Sequence, residues 1–278
     1  MRASLLGAAA VLALAACGGS NNDPTDPTDP TDPSDPTDPT DPTDPTDPTD
    51  PALLAQDNDE VAAILAAHLA AEFPAQLIVA DLSRGNYPDG FTLTGTGASG
   101  LEYSGTGVLG ALDFDFSYFC HGPSTTPGDP LVPCDGTGHD SHFTLTQTGA
   151  QTMGPINMTA ISRTVTWEIR DIALGKARFF GPDTLSLQTS VITNGVQADY
   201  DLGFAATYTQ VRYLAAQSIP TLGTIDFTVS VDRTRDGDLR TFDATAQVTY
   251  GGNAAPTTLV LDGVTYSFDL AAGTATRI

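Results

Sequence analysis

The chain carries very little positive charge. Of its 278 residues only 11 are lysine or arginine, against 34 acidic residues, and the formal net charge is −23. Lysine occurs once, as Lys176. Nucleic acids and anionic lipid surfaces attract proteins through basic side chains, so both would be repelled by this chain. The composition therefore argues against nucleic acid as a partner, and cations are attracted instead.

The familiar catalytic and nucleotide-binding motifs are missing as well. The sequence has no GxSxG, HExxH or Walker segment. Two GxGxxG matches, at 95–100 and 105–110, lie in Thr/Ser-rich strand segments rather than at the start of a helix. A dinucleotide site needs that helix, so chance composition explains both matches better. We predict no catalytic residue and no cofactor.

The acidic residues offer only weak candidates for acid–base chemistry. Asp113 and Asp115 alternate with two phenylalanines, which places both carboxylates on one face of a strand. Glycosidase carboxylates must face each other across a cleft, and spacing along one strand does not provide that. A solvated strand face is the better interpretation, and Glu168, beside Trp167, is interpreted in the same way.

The first sixteen residues are typical of a secretory signal. Met1 and Arg2 provide a short positive end, and Leu5 to Ala16 form an apolar stretch that is too short to span a bilayer. An ordinary signal peptide followed by a chance cysteine is the alternative.

The end of this stretch, Leu14-Ala15-Ala16-Cys17, resembles the lipobox of bacterial lipoproteins. The resemblance covers about twenty residues and implies that Cys17 becomes a lipidated N-terminus after residues 1–16 are removed. Several acyl chains would attach the protein firmly to a membrane. Gly18 stands where the family's inner-membrane retention signal has Asp, which implies the outer membrane if the cell has one.

Residues 17–51 form the lipidated N-terminus and a disordered tether. Ten Asp-Pro pairs run from Asp23 to Pro51, almost all separated by a single Thr. Proline fixes its own φ and keeps the preceding residue out of the helical region, so polyproline II is favoured throughout. At the rise of that helix the segment extends about 90 Å. We interpret it as a spacer.

The rest of the chain, 52–278, is predicted to be a single all-β domain preceded by one helix. It contains 24 acidic and ten basic residues, a net charge of −14. Apolar residues recur with helical spacing between Asp57 and Phe73, which predicts an amphipathic helix near 57–73 that ends before Pro74. His68 falls on its apolar side and is interpreted as a structural core residue.

From residue 76 the apolar period changes to two, as expected of antiparallel strands. Two-residue turns are predicted at Asn194-Gly195, Asp236-Gly237 and Asp262-Gly263. They predict three sets of cross-strand pairs: Val191 with Ala198, Thr189 with Tyr200 and Leu187 with Leu202; Val231 with Phe242, Val229 with Ala244, Phe227 with Ala246 and Ile225 with Val248; Leu261 with Val264 and Leu259 with Tyr266.

In each set the apolar residues share a face, which supports an up-and-down meander of about ten strands. Such a meander forms a barrel or a sandwich to remove its edges. A membrane-embedded barrel is the alternative, although a long spacer behind a lipid anchor argues against it.

Cysteines and histidines gather in one loop-rich stretch. Cys120 and Cys134 enclose thirteen residues, and in an exported protein a disulfide is the expected state. The alternative is a zinc site that uses these thiolates and nearby imidazoles. A third possibility keeps the disulfide and places a weak surface metal on His139, Asp140 and His142.

A second weak metal candidate is the segment DRTRDGDLRTFD. Asp232, Asp236 and Asp243 match acidic positions of an EF-hand calcium loop. The hairpin predicted above uses the same residues as strand, turn and strand, so we favour the hairpin.

We expect an exported, lipid-anchored protein with a non-enzymatic binding or structural role. Its partners would be the membrane, through Cys17, and an unidentified protein, glycan or small-molecule ligand. Two alternatives remain open. The domain could be a barrel that carries a small apolar ligand, or an exported hydrolase with converging acids.

Overall fold

A computed structural model describes residues 51–122, 130–214, 219–252 and 256–278. The predicted signal peptide, Cys17 and most of the tether lie outside these residues. Within them the chain forms one helix and thirteen strands, more than the ten expected. The elements are α1 (Pro51–Leu82), β1 (Phe91–Thr96), β2 (Glu102–Leu109), β3 (Leu112–His121), β4 (Leu131–Val132), β5 (Asp140–Met153), β6 (Ile156–Arg170), a 3-10 turn (Ile172–Leu174), β7 (Lys176–Thr193), β8 (Val196–Leu214), β9 (Leu222–Arg235), β10 (Asp238–Tyr250), β11 (Thr258–Leu261), β12 (Val264–Asp269) and β13 (Thr274–Arg277).

The strands form one antiparallel sheet in which nearly every strand pairs with its neighbours in sequence. The short strand β4 is the exception. It pairs with the last two residues of β3, which extend beyond the segment that pairs with β2. On its other side β3 pairs with β5. The edges are β1 and β13, and the described sheet is not closed. The predicted all-β meander with one N-terminal helix is confirmed.

The three predicted hairpins have the registers expected from their turns, and every predicted cross-strand pair occurs. At each turn both central residues have positive φ, as a type I′ turn requires. The φ values are 55° and 81° at Asn194-Gly195, 52° and 83° at Asp236-Gly237, and 44° and 80° at Asp262-Gly263. Turn chemistry therefore sets the register of the second half of the sheet.

Helix α1 is enclosed by the sheet. Its middle, from Val61 to Ala67, contains six residues with no solvent exposure. Hydrogen bonds and ion pairs join it to β5, β6, β8, β9, β10, β12 and β13, so the sheet curls around it. Ten of its 32 residues are alanine, which lets strands approach closely on all sides. This differs from the one-sided burial expected from the sequence.

The helix also extends beyond the predicted 57–73, because it begins at Pro51 and continues through Pro74 to Leu82. Proline has no N–H to donate to the carbonyl of Ala70. Gln151 Nε2 of β5 donates a hydrogen bond of 3.1 Å to the next carbonyl, that of Ala71. The predicted end before Pro74 is therefore wrong, since packing against the sheet supports the helix past the proline.

By length and composition alone, α1 could cross a membrane, but 81% of its apolar window is buried inside the domain. That is the environment of a core helix. The outward face of the sheet is polar instead, with direct threonine pairs on neighbouring strands: Thr92 with Thr106, Thr146 with Thr164, Thr164 with Thr184, and Thr228 with Thr245. Across the described strands this face therefore lacks the continuous apolar band of a membrane-embedded barrel.

We predict that Gly237→Val lowers the free energy of unfolding by about 1–2 kcal/mol, because a side chain at positive φ is disfavoured. No atom lies within 4 Å of a Cβ built at position 237, so the loss would be conformational and not steric. Urea unfolding of the whole chain measures it. Thr234→Val, at an exposed strand position of the same hairpin, is the control and should change little. Equal effects of both substitutions would contradict the assignment of the turn.

Candidate functional site

The centre of α1 is held by a buried cluster of charges. Arg163 of β6 donates hydrogen bonds from Nη2 to Glu72 Oε1 of α1, and from Nε and Nη2 to the Asp183 carboxylate of β7, at 3.0 and 2.5 Å. The Tyr208 hydroxyl donates to the same Glu72 oxygen at 2.6 Å. Burial alone would lower the pKa of Arg163, but Asp183 and Glu72 outweigh it and raise that pKa. The guanidinium therefore stays charged.

A second buried cluster holds the N-terminal part of α1. Asp57 accepts hydrogen bonds from three arginines of the sheet: Arg233 (3.2 Å), Arg235 (3.1 Å) and Arg240 (2.7 Å). Glu60 accepts hydrogen bonds from Arg235, at 2.8 Å, and from the Tyr200 hydroxyl, at 2.5 Å. Both carboxylates are almost completely buried. These clusters attach the helix to the sheet and do not face solvent.

His68 of α1 lies beside the central cluster. Its Nε2 is 3.8 Å from Glu72 Oε2, and its ring stacks on Phe204 with centroids 6.1 Å apart. Burial, together with the charge of Arg163, lowers the pKa of His68 from 6.5 to about 3. The imidazole is therefore neutral at neutral pH, in agreement with the structural role predicted for it.

The outward-facing basic side chains of the sheet gather at one end of it. Arg170 of β6 lies directly opposite Arg178 of β7, and Arg178 lies opposite Arg212 of β8. We call these three residues the arginine row. Glu168 pairs with Arg170 at 2.7 and 3.0 Å, Asp171 pairs with Arg178 at 2.6 Å, and Asp140 of β5 lies directly opposite Arg170. Like charges directly opposite each other destabilise a sheet, so the placement of Arg212 opposite Arg178 reduces stability.

One member of the row, Arg212, and the neighbouring Lys176 remain uncompensated. Within the described ranges no carboxylate forms an ion pair with either side chain. Arg212 Nε is buried and has no hydrogen-bond partner there. Arg212 and Lys176 are therefore the cations at this end of the sheet without an ion-pair partner in the described ranges, whereas Asp140, Glu168 and Asp171 lie beside Arg170 and Arg178.

A β-bulge turns Arg212 outward. Tyr208 and Val211 both point inward although they are three residues apart, because Gln210, at φ 55°, adds one residue to β8. Regular alternation from Tyr208 would point Arg212 into the core instead. Gly223 of β9 makes room for the bulge, since a Cβ there would lie 2.5 Å from the Gln210 carbonyl oxygen.

A second outward row runs beside the arginine row. Its members lie directly opposite one another across β2, β3, β5, β6 and β7: Glu102, Phe119, His142, Glu168 and Phe180. The rings of Phe119 and His142 stack, with centroids 5.0 Å apart, and Arg170 lies 4.6 Å from the Phe180 ring centroid. We call the arginine row with Phe119, His142 and Phe180 the basic corner. Hydrogen bonding from Arg170 lowers the pKa of Glu168, which stays ionised.

The disulfide lies at the same end of the sheet. Cys120 of β3 and Cys134 are bonded, with their Cα atoms 5.4 Å apart, which confirms the predicted pair. Because both sulfurs are used, the alternative zinc site made of these thiolates is excluded. Most of the enclosed loop, 123–129, lies outside the described residues.

The predicted weak metal ligands do not form a site. His139 Nδ1 and Asp140 Oδ1 are 2.9 Å apart, but the ring of His142 packs on Phe119 instead. In the parts of the chain that the structure describes, no group of three or more histidine, cysteine or acidic side chains is placed to hold a metal ion.

The EF-hand candidates belong to the β9–β10 hairpin. Asp232 accepts a hydrogen bond of 2.5 Å from Thr241, Asp236 lies in the turn, and Asp243 lies opposite Ser230. Strands flank this segment where an EF-hand needs helices, so the calcium interpretation is not supported.

The candidate acids Asp113 and Asp115 lie exposed on the outward face of β3, opposite Thr148 and Thr146 of β5. Glu168, two strands from them, is engaged by Arg170. The three carboxylates do not converge on one cleft, which supports their interpretation as solvated strand residues.

Comparison of the chain with protein-family models, with curated proteins and with solved structures finds no match. What the domain does has to be inferred from its own side chains. Of the surfaces described above, the basic corner departs most from the charge and composition of the rest of the sheet.

Neither the basic corner nor the buried ion clusters were predicted from the sequence. The arginines of the row are spread over more than forty residues, and they become neighbours only through cross-strand pairing. The one-residue shift at Gln210 leaves no clear signal in the sequence, so even a correct hairpin register would point Arg212 the wrong way.

We predict that Arg163→Met lowers the free energy of unfolding by about 3–5 kcal/mol, because it leaves Glu72 and Asp183 buried without a counter-charge. Arg170→Met, on the same strand but facing solvent, should cost less than about 1 kcal/mol. Denaturant unfolding compares the two variants. Similar losses would show that the interior cluster does not hold the helix.

The lowered pKa of His68 predicts that the free energy of unfolding depends on pH. Between pH 6.5 and about 3 the unfolded chain binds a proton at His68 that the native state does not, so stability falls as the pH falls. The contribution approaches about 1.4 kcal/mol per pH unit. His68→Gln removes it, so the stability difference between wild type and variant should depend on pH below 6.5. Parallel stability curves over this range would contradict the assignment.

Proposed function

We propose that the protein is an exported, lipid-anchored protein with a binding role and no catalytic one. The support for the anchor is the match of Leu14-Ala15-Ala16-Cys17 to a lipobox behind a short apolar stretch. Cys17 would carry the acyl chains and hold the protein on a membrane, and Gly18 favours the outer membrane if there is one.

The segment from Asp23 to Pro51 would then separate the folded domain from that membrane. With a length of about 90 Å when extended, it allows the domain to meet partners well beyond the lipid headgroups. Its ten aspartates keep it hydrated and away from anionic lipid.

The ligand is bound on the outward face of the domain. The observation that carries this proposal is the position of α1, whose buried residues fill the space inside the curved sheet. A carrier of a small apolar molecule would need to displace the helix and break the buried pairs of Asp57, Glu60 and Glu72. We therefore prefer the outward face to the interior.

A hydrolase finds less support among the described residues. The carboxylates considered for acid–base chemistry face solvent separately, and Glu168 is held ionised by Arg170. A general acid needs a raised pKa, and the pKa of Glu168 is shifted in the opposite direction.

Metabolic labelling with a fatty acid tests the anchor. The wild-type chain should incorporate the label and sediment with membranes, and Cys17→Ser should lose both properties. The double variant Cys120→Ser/Cys134→Ser is the matched control, because it removes the other two cysteines, keeps Cys17 and should therefore keep the label. Label that survives Cys17→Ser would overturn the anchor.

Hydrogen exchange of the purified full chain distinguishes the outward face from the interior. A ligand on the outward face leaves the amides of 60–82 protected, whereas an apolar ligand inside the sheet must expose them. Binding of an apolar probe with accelerated exchange in α1 would favour the carrier. Saturable turnover of a hydrolase substrate would favour the enzyme.

A further inference from the structure

We infer that the basic corner binds an oxyanion group, a carboxylate or a sulfate, carried by an acidic glycan. The inference rests on the proposed function in one respect, since it assigns a ligand to the outward face. The arginine row supplies the charge: Arg212 has no carboxylate partner among the described residues, Arg178 lies directly opposite it, and a planar guanidinium can donate two parallel hydrogen bonds to such a group.

The placement of these cations is selective. Of the ten basic residues after the tether, Arg163, Arg233, Arg235 and Arg240 point inward and pair with carboxylates. The outward cations of the sheet gather at one end, where they repel one another across β6, β7 and β8. The position of Arg212 opposite Arg178 reduces stability, and Arg212 points outward only because of the bulge at Gln210. Features that cost stability in this way are typical of functional sites.

The uncompensated charge lies at Arg212 and Lys176. Glu168 and Asp171 neutralise the other two members of the row, at 2.7 and 2.6 Å. An incoming oxyanion would therefore pair with the exposed part of the Arg212 guanidinium first. Arg178, directly opposite, would contact the second face of the same group.

The size of the corner limits the ligand. Three adjacent strands span about 10 Å, so the row can hold one or two charged groups and not a long uniform charge. Beyond it the outward face carries aspartates, among them Asp199, Asp201, Asp226 and Asp232, which repel nucleic acid and anionic bilayers.

The neighbours of the row suit a sugar. Phe119 and Phe180 are half-buried, and although His142 stacks on Phe119 and Arg170 lies over Phe180, their remaining exposed ring surface is apolar. Thr144 and Thr166 expose hydroxyl groups in the next position along β5 and β6. Sugars present apolar ring faces and many hydroxyls, so an acidic sugar would meet a partner for each of its parts at this corner.

Fluorescence polarisation with the purified full chain tests the inference. The probes are a labelled oligogalacturonate, a labelled sulfated oligosaccharide and a neutral malto-oligosaccharide of equal length. At least one charged probe should bind, more weakly as salt increases, and the neutral probe should not. Arg212→Gln and Arg178→Gln should each weaken binding by about tenfold or more.

The control is Arg277→Gln, which removes the same charge from β13, where Arg277 pairs with Asp59 of α1. It should leave the affinity within about twofold. The thermal midpoint gives a second readout: removal of Arg212 relieves repulsion, so the variant should be at least as stable as wild type while it binds less. If Arg212 had only a structural role, its removal would lower the thermal midpoint and leave binding unchanged.

Several results would overturn the inference. These are equal binding of charged and neutral probes, equal effects of Arg277→Gln and Arg212→Gln, or tighter binding of single-stranded DNA or of vesicles containing phosphatidylglycerol. If labelling at Cys17 and protection of α1 hold while no charged sugar binds, the ligand class fails and the proposed function stands. If charged sugars bind but Cys17 is not acylated, the anchor fails and the ligand class stands.

Discussion

The fold depends on the pairing of carboxylates on the central helix with arginines that point into the sheet. Asp57, Glu60 and Glu72 lie where an enclosed helix would be expected to carry only apolar side chains. Charges in such a place are tolerated only when they are paired and hydrogen bonded. The sheet supplies those partners from β6, β9 and β10. These ion pairs fix the position and the rotation of α1 inside the sheet, which apolar burial alone would not do.

This pairing also explains the unusual distribution of basic residues. A domain with ten cations against 24 acids uses four of them inside, where each offsets a buried carboxylate. The surface is consequently dominated by threonine and aspartate, and the outward cations of the sheet stand together at one end. A local site that favours anions can therefore exist on a protein whose total charge repels them.

The features predicted correctly from the sequence are those determined by a few neighbouring residues. The Asp236-Gly237 turn sets its hairpin, since two positive φ values are needed and one register buries the apolar face. The Cys120–Cys134 pair follows from spacing and redox environment. The enclosure of α1 and its passage through Pro74 were missed because they depend on strands far along the chain, which local patterns do not indicate. The outward turn of Arg212 was missed because the bulge at Gln210 leaves no clear signal in the sequence.

The enclosed helix has a consequence for how the chain becomes folded. The helix begins at Pro51, whereas Arg277, which pairs with Asp59, lies 218 positions further along the chain than Asp59. Native contacts of such range make folding slow. During synthesis in the N-to-C direction, α1 emerges first and waits, with its apolar surface uncovered, until almost the whole sheet has followed. A chain interrupted before β12 and β13 would leave the N-terminal part of the helix without its last partners, and would be a target for chaperones and proteases.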